Sequence, residues 1–373
     1  MDSVDSLAAP AGGPPSGGVL ADAARAARTG RIRLEILARD LFRTDDVRID
    51  EARRTRMRAM LDGLVRATEG RLRRDLVKRL EAAAPASVLM ALGNMTLPIA
   101  RPVLESAGTL ADADLVAALA RRVDEHRLVV QARVAAMQDP TLVARGLFAG
   151  LLVQANTEVA NAARQIAELT AARFGPFEEP ALGLTDLAEA VQVRLVWRVA
   201  AAVRHWIDLH DRIAGAVADR AVAAAGAAML ADTAARPGLD RAAMALARGM
   251  LRAGIADDEA TVALAAEGQV AVAVASLALR VGIGMAAAWD MVLDPDGARL
   301  VLLLRAAGLE RSAAAALLLR WPDAAAPVDR IGDRMAGYDM ISHADAHAAI
   351  DLHRLDPAYA AALDALASGM TRQ

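Results

Sequence analysis

Asn94, Glu125 and Asn156 stand thirty-one residues apart, and the residues around each follow the same apolar rhythm. Three positions after them come Leu97, Leu128 and Val159; ten after come Leu104, Ala135 and Ile166; five before come Leu89, Ala120 and Leu151. Seven after, the rhythm breaks, because Arg101 falls in register with Ala132 and Ala163. A polar residue just ahead of apolar positions at helical spacing marks the start of an amphipathic helix. Thirty-one residues hold two helices and two short turns, so the period predicts a helical hairpin that repeats. Such units bury their apolar faces against neighbours and stack into solenoids. The expected fold is all-α, an α-solenoid or superhelix of HEAT-like hairpins.

The residue inventory points the same way. Hydrophobic residues make up 55% of the 373 and aromatic ones 3%, so alanine and leucine dominate. Both favour helices, whereas strands want β-branched and aromatic side chains. Helices are expected over 31–43, 50–69, 71–83, 86–93, 97–107, 112–125, 127–137, 140–154 and 157–174. With Thr96 as a cap, Pro98 falls in a first turn where its missing N–H costs nothing, and Pro102 kinks the helix. "FGPFEEPALGLT", Phe174 to Thr185, is the best internal boundary. Five regions follow: a Pro/Gly/Ser-rich flexible tail at 1–30, helical repeats at 31–174, a second helical region at 186–320, a linker at 321–341 and a terminal helix pair at 342–373.

At "ARPVLESAGTLADADLVAAL", "HRLVVQARV" and "LLVQANTEVANAARQIAEL" the chain resembles the family catalogued as domain of unknown function 2336. The resemblance covers about residues 31–320 and is most specific at 94–169. Asn94, where the pattern has aspartate, and Gln131, where it has a small apolar residue, depart from it. The resemblance implies a helical-repeat fold in uncharacterised, mostly alphaproteobacterial proteins, and no established activity.

Few residues carry chemistry. With zero cysteines there are no disulfides, thiolate metal sites or cysteine nucleophiles, which fits a cytoplasmic setting. "GIG", Gly282 to Gly284, has neither a preceding strand nor the spacing of a phosphate loop, and is expected to let helices pack closely. In "SHADAHAAIDLH", Ser342 and Asp345 form a capping box ahead of His343, His347 and Asp351, at i, i+4 and i+8 on one helix face. Two imidazoles and a carboxylate so spaced are a candidate zinc set; the alternative is a solvated terminal helix. His205 and His210 lie on different faces around Trp206, so packing of Trp197, Trp206 and Trp289 is the plain reading there, as an ordinary surface role is for His126. In Val270–Leu293, the most apolar stretch, Arg280 and Asp290 oppose a membrane span.

The net charge is −3, yet residues 31–79 carry fifteen Arg/Lys against nine Asp/Glu. Arg53, Arg54, Arg56, Arg71, Arg73, Arg74 and Lys78 therefore form a candidate partner-binding face, and local helix pairs such as Arg71–Asp75 and Lys78–Glu81 are the alternative. The expected function is a non-enzymatic scaffold or adaptor, without a cofactor, that binds a partner protein with an acidic surface. Nucleic-acid backbone binding by helices 53–79 is the alternative, and a metal-binding sensor or enzyme through the C-terminal histidines the second.

Overall fold

Asp50 accepts a hydrogen bond from Ala52 N–H and opens helix α1, Glu51–Leu80, the longest in the molecule's described part. The computed structural model describes residues 50–138, 146–210, 215–321, 328–354 and 359. The expected tail at 1–30, the helix at 31–43 and most of the terminal segment past 354 lie outside them. Described residues are helical with no named strand; one isolated bridge joins Phe174 and Pro180.

The chain divides into two compact units. The first runs to Ala256 and takes in Ala263–Ala275. It contains α1, α2 (Ala86–Gly93), α3 (Ala100–Ser106), α4 (Ala113–Gln138), α5 (Leu147–Leu152), α6 (Thr157–Ala171), α7 (Glu189–His210), α8 (Gly215–Ala234) and α9 (Leu239–Arg252). α1 is its spine, packed against α2, α3, α4, α7 and α8. Leu61, Leu64, Leu72 and Leu76 of α1 share one core with Leu119 of α4, Leu195 and Val199 of α7, and Ala225 of α8. Each large side chain so buried contributes about 1.5–3 kcal/mol. Trp197 of α7 lies across Gly226 of α8, where a Cβ would come within 2.6 Å of its ring.

A buried ion pair sets the turn between α2 and α3. The Glu69 carboxylate accepts from Ile99 N–H and Ala100 N–H, each at 3.0 Å, and so caps α3. Arg73, held to Glu69 at 2.6 Å, donates to the carbonyls of Ala91, Leu92, Asn94 and Leu97. One guanidinium thereby satisfies several groups that a helix end leaves open. α3 starts later than its prolines suggest: Pro98 precedes the helix, and Pro102 takes the first-turn position that needs no N–H.

The thirty-one-residue spacing does not mark three helix starts. Asn156 caps α6 through Glu158 N–H and Val159 N–H, but Asn94 follows the end of α2 and Glu125 lies inside α4. The expected breaks near residues 70 and 126 are absent, because α1 and α4 run through them. α5 is short and its start is capped from afar: Glu267 accepts from Leu147 N–H at 2.7 Å and Phe148 N–H at 2.8 Å.

α10 (Asp258–Ala266) and α11 (Val270–Val281) follow. The second unit holds Asp257–Val262 and the chain from Ser276 on, with α12 (Met285–Val292), α13 (Ala298–Ala306), α14 (Arg311–Arg320), α15 (Val328–Met340) and α16 (His343–Ile350). α13 packs against α12, α14, α15 and α16, and Leu300 to Leu304 are all buried. A helix apolar on every side belongs inside. The expected linker at 321–341 is instead largely helical, since Val328–Met340 forms α15 and its Tyr338 is buried with its hydroxyl on the Leu309 carbonyl. Gly282 and Gly284 have open space where a Cβ would stand, so they are not close-packing points; Gly282 is needed for its φ of +77°. No single helix among the described residues is long and apolar enough to cross a membrane, and α11 meets α12 at 112°.

Candidate interaction surface

The middle of α4 carries Arg121, Arg122, Glu125 and His126, and all four are used to hold residues 173–186 or α9. Glu125 is buried and accepts from Arg121 at 2.6 Å and Arg173 at 2.5 Å. Burial alone drives its carboxyl upward, but the Arg173 and Arg121 charges outweigh that and keep it below the ordinary value. Arg121 also reaches Asp240 at 2.6 Å, and Arg173 lies 3.7 Å from Asp186. Arg122 donates to two carbonyls, Arg173 at 2.6 Å and Ala181 at 3.0 Å. Burial, then the neighbouring Arg173 charge, lowers its pKa to about 9.

Those two carbonyls flank a tight loop. Ala181 N–H donates back to Arg173 at 2.9 Å, and Gly175 N–H donates to Glu179 at 2.7 Å. At the tip, Phe177 and Glu178 have φ of 60° and 59°, a left-handed conformation costing roughly 1–2 kcal/mol per non-glycine residue. His126 Nε2 donates to the Glu178 carbonyl at 2.7 Å, and burial holds the imidazole pKa below its ordinary value. The Phe174 ring lies 5.3 Å from the His126 ring and 4.3 Å from the Arg133 guanidinium. So anchored, the loop points Phe177 outward, and the residue is 99% exposed. Strain of this kind persists only where the surroundings over-determine it. Phe177, Arg122 and His126 as a group have no simple sequence signature. "FGPFEEP" reads as a boundary, and an apolar residue there is expected to be buried.

The seven basic candidates of α1 divide sharply. Arg73, with 1% exposure, and Arg54 are buried, which removes them from an outer face. Their register places them among the leucines, and the turn carbonyls absorb the Arg73 charge. Arg53 pairs with Asp124 at 2.7 Å and Arg71 with Asp232 of α8 at 2.5 Å, rather than with Asp75, which pairs with Arg79. Arg56 lies 3.7 Å from Glu179. Arg74 and Lys78 are exposed and make no ion pair among the described residues.

At the C-terminal end, Ser342 and Asp345 form the expected cap, with Asp345 N–H donating to Ser342 Oγ at 3.1 Å. His343 and His347 meet, with their Nε2 atoms 3.1 Å apart. His343 Nδ1 donates to the Arg305 carbonyl at 2.9 Å, and Arg354 reaches His347 Nδ1 at 2.5 Å. Arg354 donates, so His347 Nδ1 accepts and its Nε2 carries the proton given to His343. Asp351 pairs with the same guanidinium, at 2.5 Å from Arg354. Two of the three candidate ligands are together, and both face hydrogen-bond partners. Trp289 is buried, while Trp206 stacks on His210 with centroids 4.4 Å apart, both packing roles.

Residues 99–351 match the model of a family described as "Uncharacterised protein conserved in bacteria (DUF2336)". No curated protein and no solved structure matches.

Proposed function

The chain belongs to this family of uncharacterised bacterial proteins, and we propose that it is a non-catalytic helical scaffold that binds a partner protein. Phe177 carries the reading. An aromatic side chain on a rigid, strained loop, facing solvent, is a ready anchor, because little ordering is left to be done on binding. Sequence-adjacent helices pack in pairs, α1 with α2, α5 with α6 and α7 with α8, which supports HEAT-like hairpins within a solenoid. α1 adds further neighbours along its length. The absence of cysteine fits a cytoplasmic setting.

An acidic partner surface suits Arg74 and Lys78, which remain for it among the seven candidates. The same two cations favour the second reading, nucleic-acid backbone binding. That reading predicts an apparent affinity falling with salt at a logarithmic slope of about −0.9 per phosphate contacted. With most of α1's arginines paired internally or buried, the expected slope is shallow, and a steep one on random duplex DNA would favour nucleic acid. The partner-protein reading is tested by affinity capture with the intact chain against Phe177→Gly. A protein held by the first and lost from the second supports it; identical capture lists overturn it.

A further inference from the structure

Phe177 has a counterpart on the same chain. Because Arg73 gathers the carbonyls of Ala91, Leu92, Asn94 and Leu97 onto one guanidinium, residues 90–97 form a shoulder folded over α1. Its outer side bears Met90, 75% exposed, with Met95 and Leu97 also open to solvent. Beside it lies Gly70 of α1, where a Cβ would stand 3.8 Å from Met95 Sδ and 3.8 Å from Arg74 Nη1. The Met95 thioether and the exposed Arg74 guanidinium are thus both surface neighbours of this glycine. Thioethers and guanidiniums are both favourable neighbours for an aromatic ring. The residue after Phe177 is Glu178, whose own cation, Arg133, is 3.8 Å away at the surface. Ring and carboxylate thus match the apolar shoulder and its guanidinium in both polarity and charge.

We propose that a second copy of this chain covers Phe177: the loop of one copy lays its ring on the Met90–Leu97 shoulder of another, beside Met95, and Glu178 meets Arg74. This rests on the reading of the loop as a binding surface and names what it binds. The two patches differ, so the contact pairs the loop of one copy with the shoulder of another, either reciprocally about a two-fold axis or head-to-tail.

Sedimentation equilibrium from micromolar to near-millimolar chain tests it, with mass expected to rise with concentration. Phe177→Gly, which suits the left-handed backbone and so keeps the fold, and Met95→Asp at the exposed shoulder should each leave a monomer. Mixed in equal amounts, these two variants should give a heterodimer and nothing larger, since one keeps an intact shoulder and the other an intact loop. A monomeric wild type, association that survives Phe177→Gly, or a mixture that stays monomeric overturns the proposal. A photo-crosslinking phenylalanine at position 177, used in the native cells, separates the two readings. Crosslinks between copies support self-association. Crosslinks to a different protein overturn it while leaving the partner-protein reading intact, and none at all removes both.

Discussion

Asp112 immediately precedes α4 and is the clearest single-residue contributor of charge to stability. It accepts from Leu115 N–H at 3.2 Å, from Arg194 Nε at 2.9 Å and from Arg198 at 2.8 Å. Burial pushes its carboxyl upward, but the bonds from Arg194, Leu115 and Arg198 prevail and hold its pKa at about 2. A carboxyl depressed on folding stabilises the native state above its unfolded value and loses that contribution as pH falls through the folded one. Asp112→Asn is therefore expected to cost about 1–2 kcal/mol at pH 7, the arginines being partly solvated. The gap from wild type should close as pH drops from about 4 towards 2. Urea titrations at several pH values measure it, and a constant gap contradicts the charge assignment. Neither this pairing nor the burial of Arg54 and Arg73 is legible in sequence. An arginine beside leucines reads as an outward charge until its partner, eighteen or more residues away for the Arg73 carbonyls, is known.

Among elements, α2 was legible to the residue, since Pro85 precedes it and Gly93 ends it. Glu125 shows why α4 was not. A polar residue before an apolar run reads as a cap, but here three arginines make a buried carboxylate tolerable in mid-helix, and the helix continues. α15 was hidden for a related reason: its glycines and aspartates weaken helical periodicity, and packing of Met335 and Tyr338 onto α13 decides the matter. The Glu69–Arg73 pair tests how firmly elements are joined. Glu69→Ala removes the α3 cap and strands a buried guanidinium, for an expected loss of about 3–5 kcal/mol. Arg73→Met is expected to cost a similar amount, and the double variant Glu69→Leu with Arg73→Met clearly less than the sum. Chemical denaturation of all three checks this; simple additivity would mean that the pair does not act as a unit.

For the whole molecule, the family match begins at Ile99, the residue whose N–H Glu69 receives. α1 and α2 lie before that point, yet α1 supplies Leu61, Leu64, Leu72 and Leu76 to the core shared with α4, α7 and α8. A fragment trimmed to 99–351 should expose that face, lose helicity by circular dichroism and aggregate on a sizing column; a monomeric fragment with full helicity would show that α1 is dispensable. Helical class was legible from alanine and leucine alone, whereas the choice of neighbours rested on pairings that no local pattern encodes. The capping of α5 by Glu267, about 120 positions downstream, carries one more consequence. During synthesis, which runs from the N-terminus, α5 leaves the ribosome long before the carboxylate that finishes its first turn has been made. Its final seating is a late event, and until translation passes residue 267 the nascent chain offers chaperones an incomplete helix bearing Phe148 and Leu151.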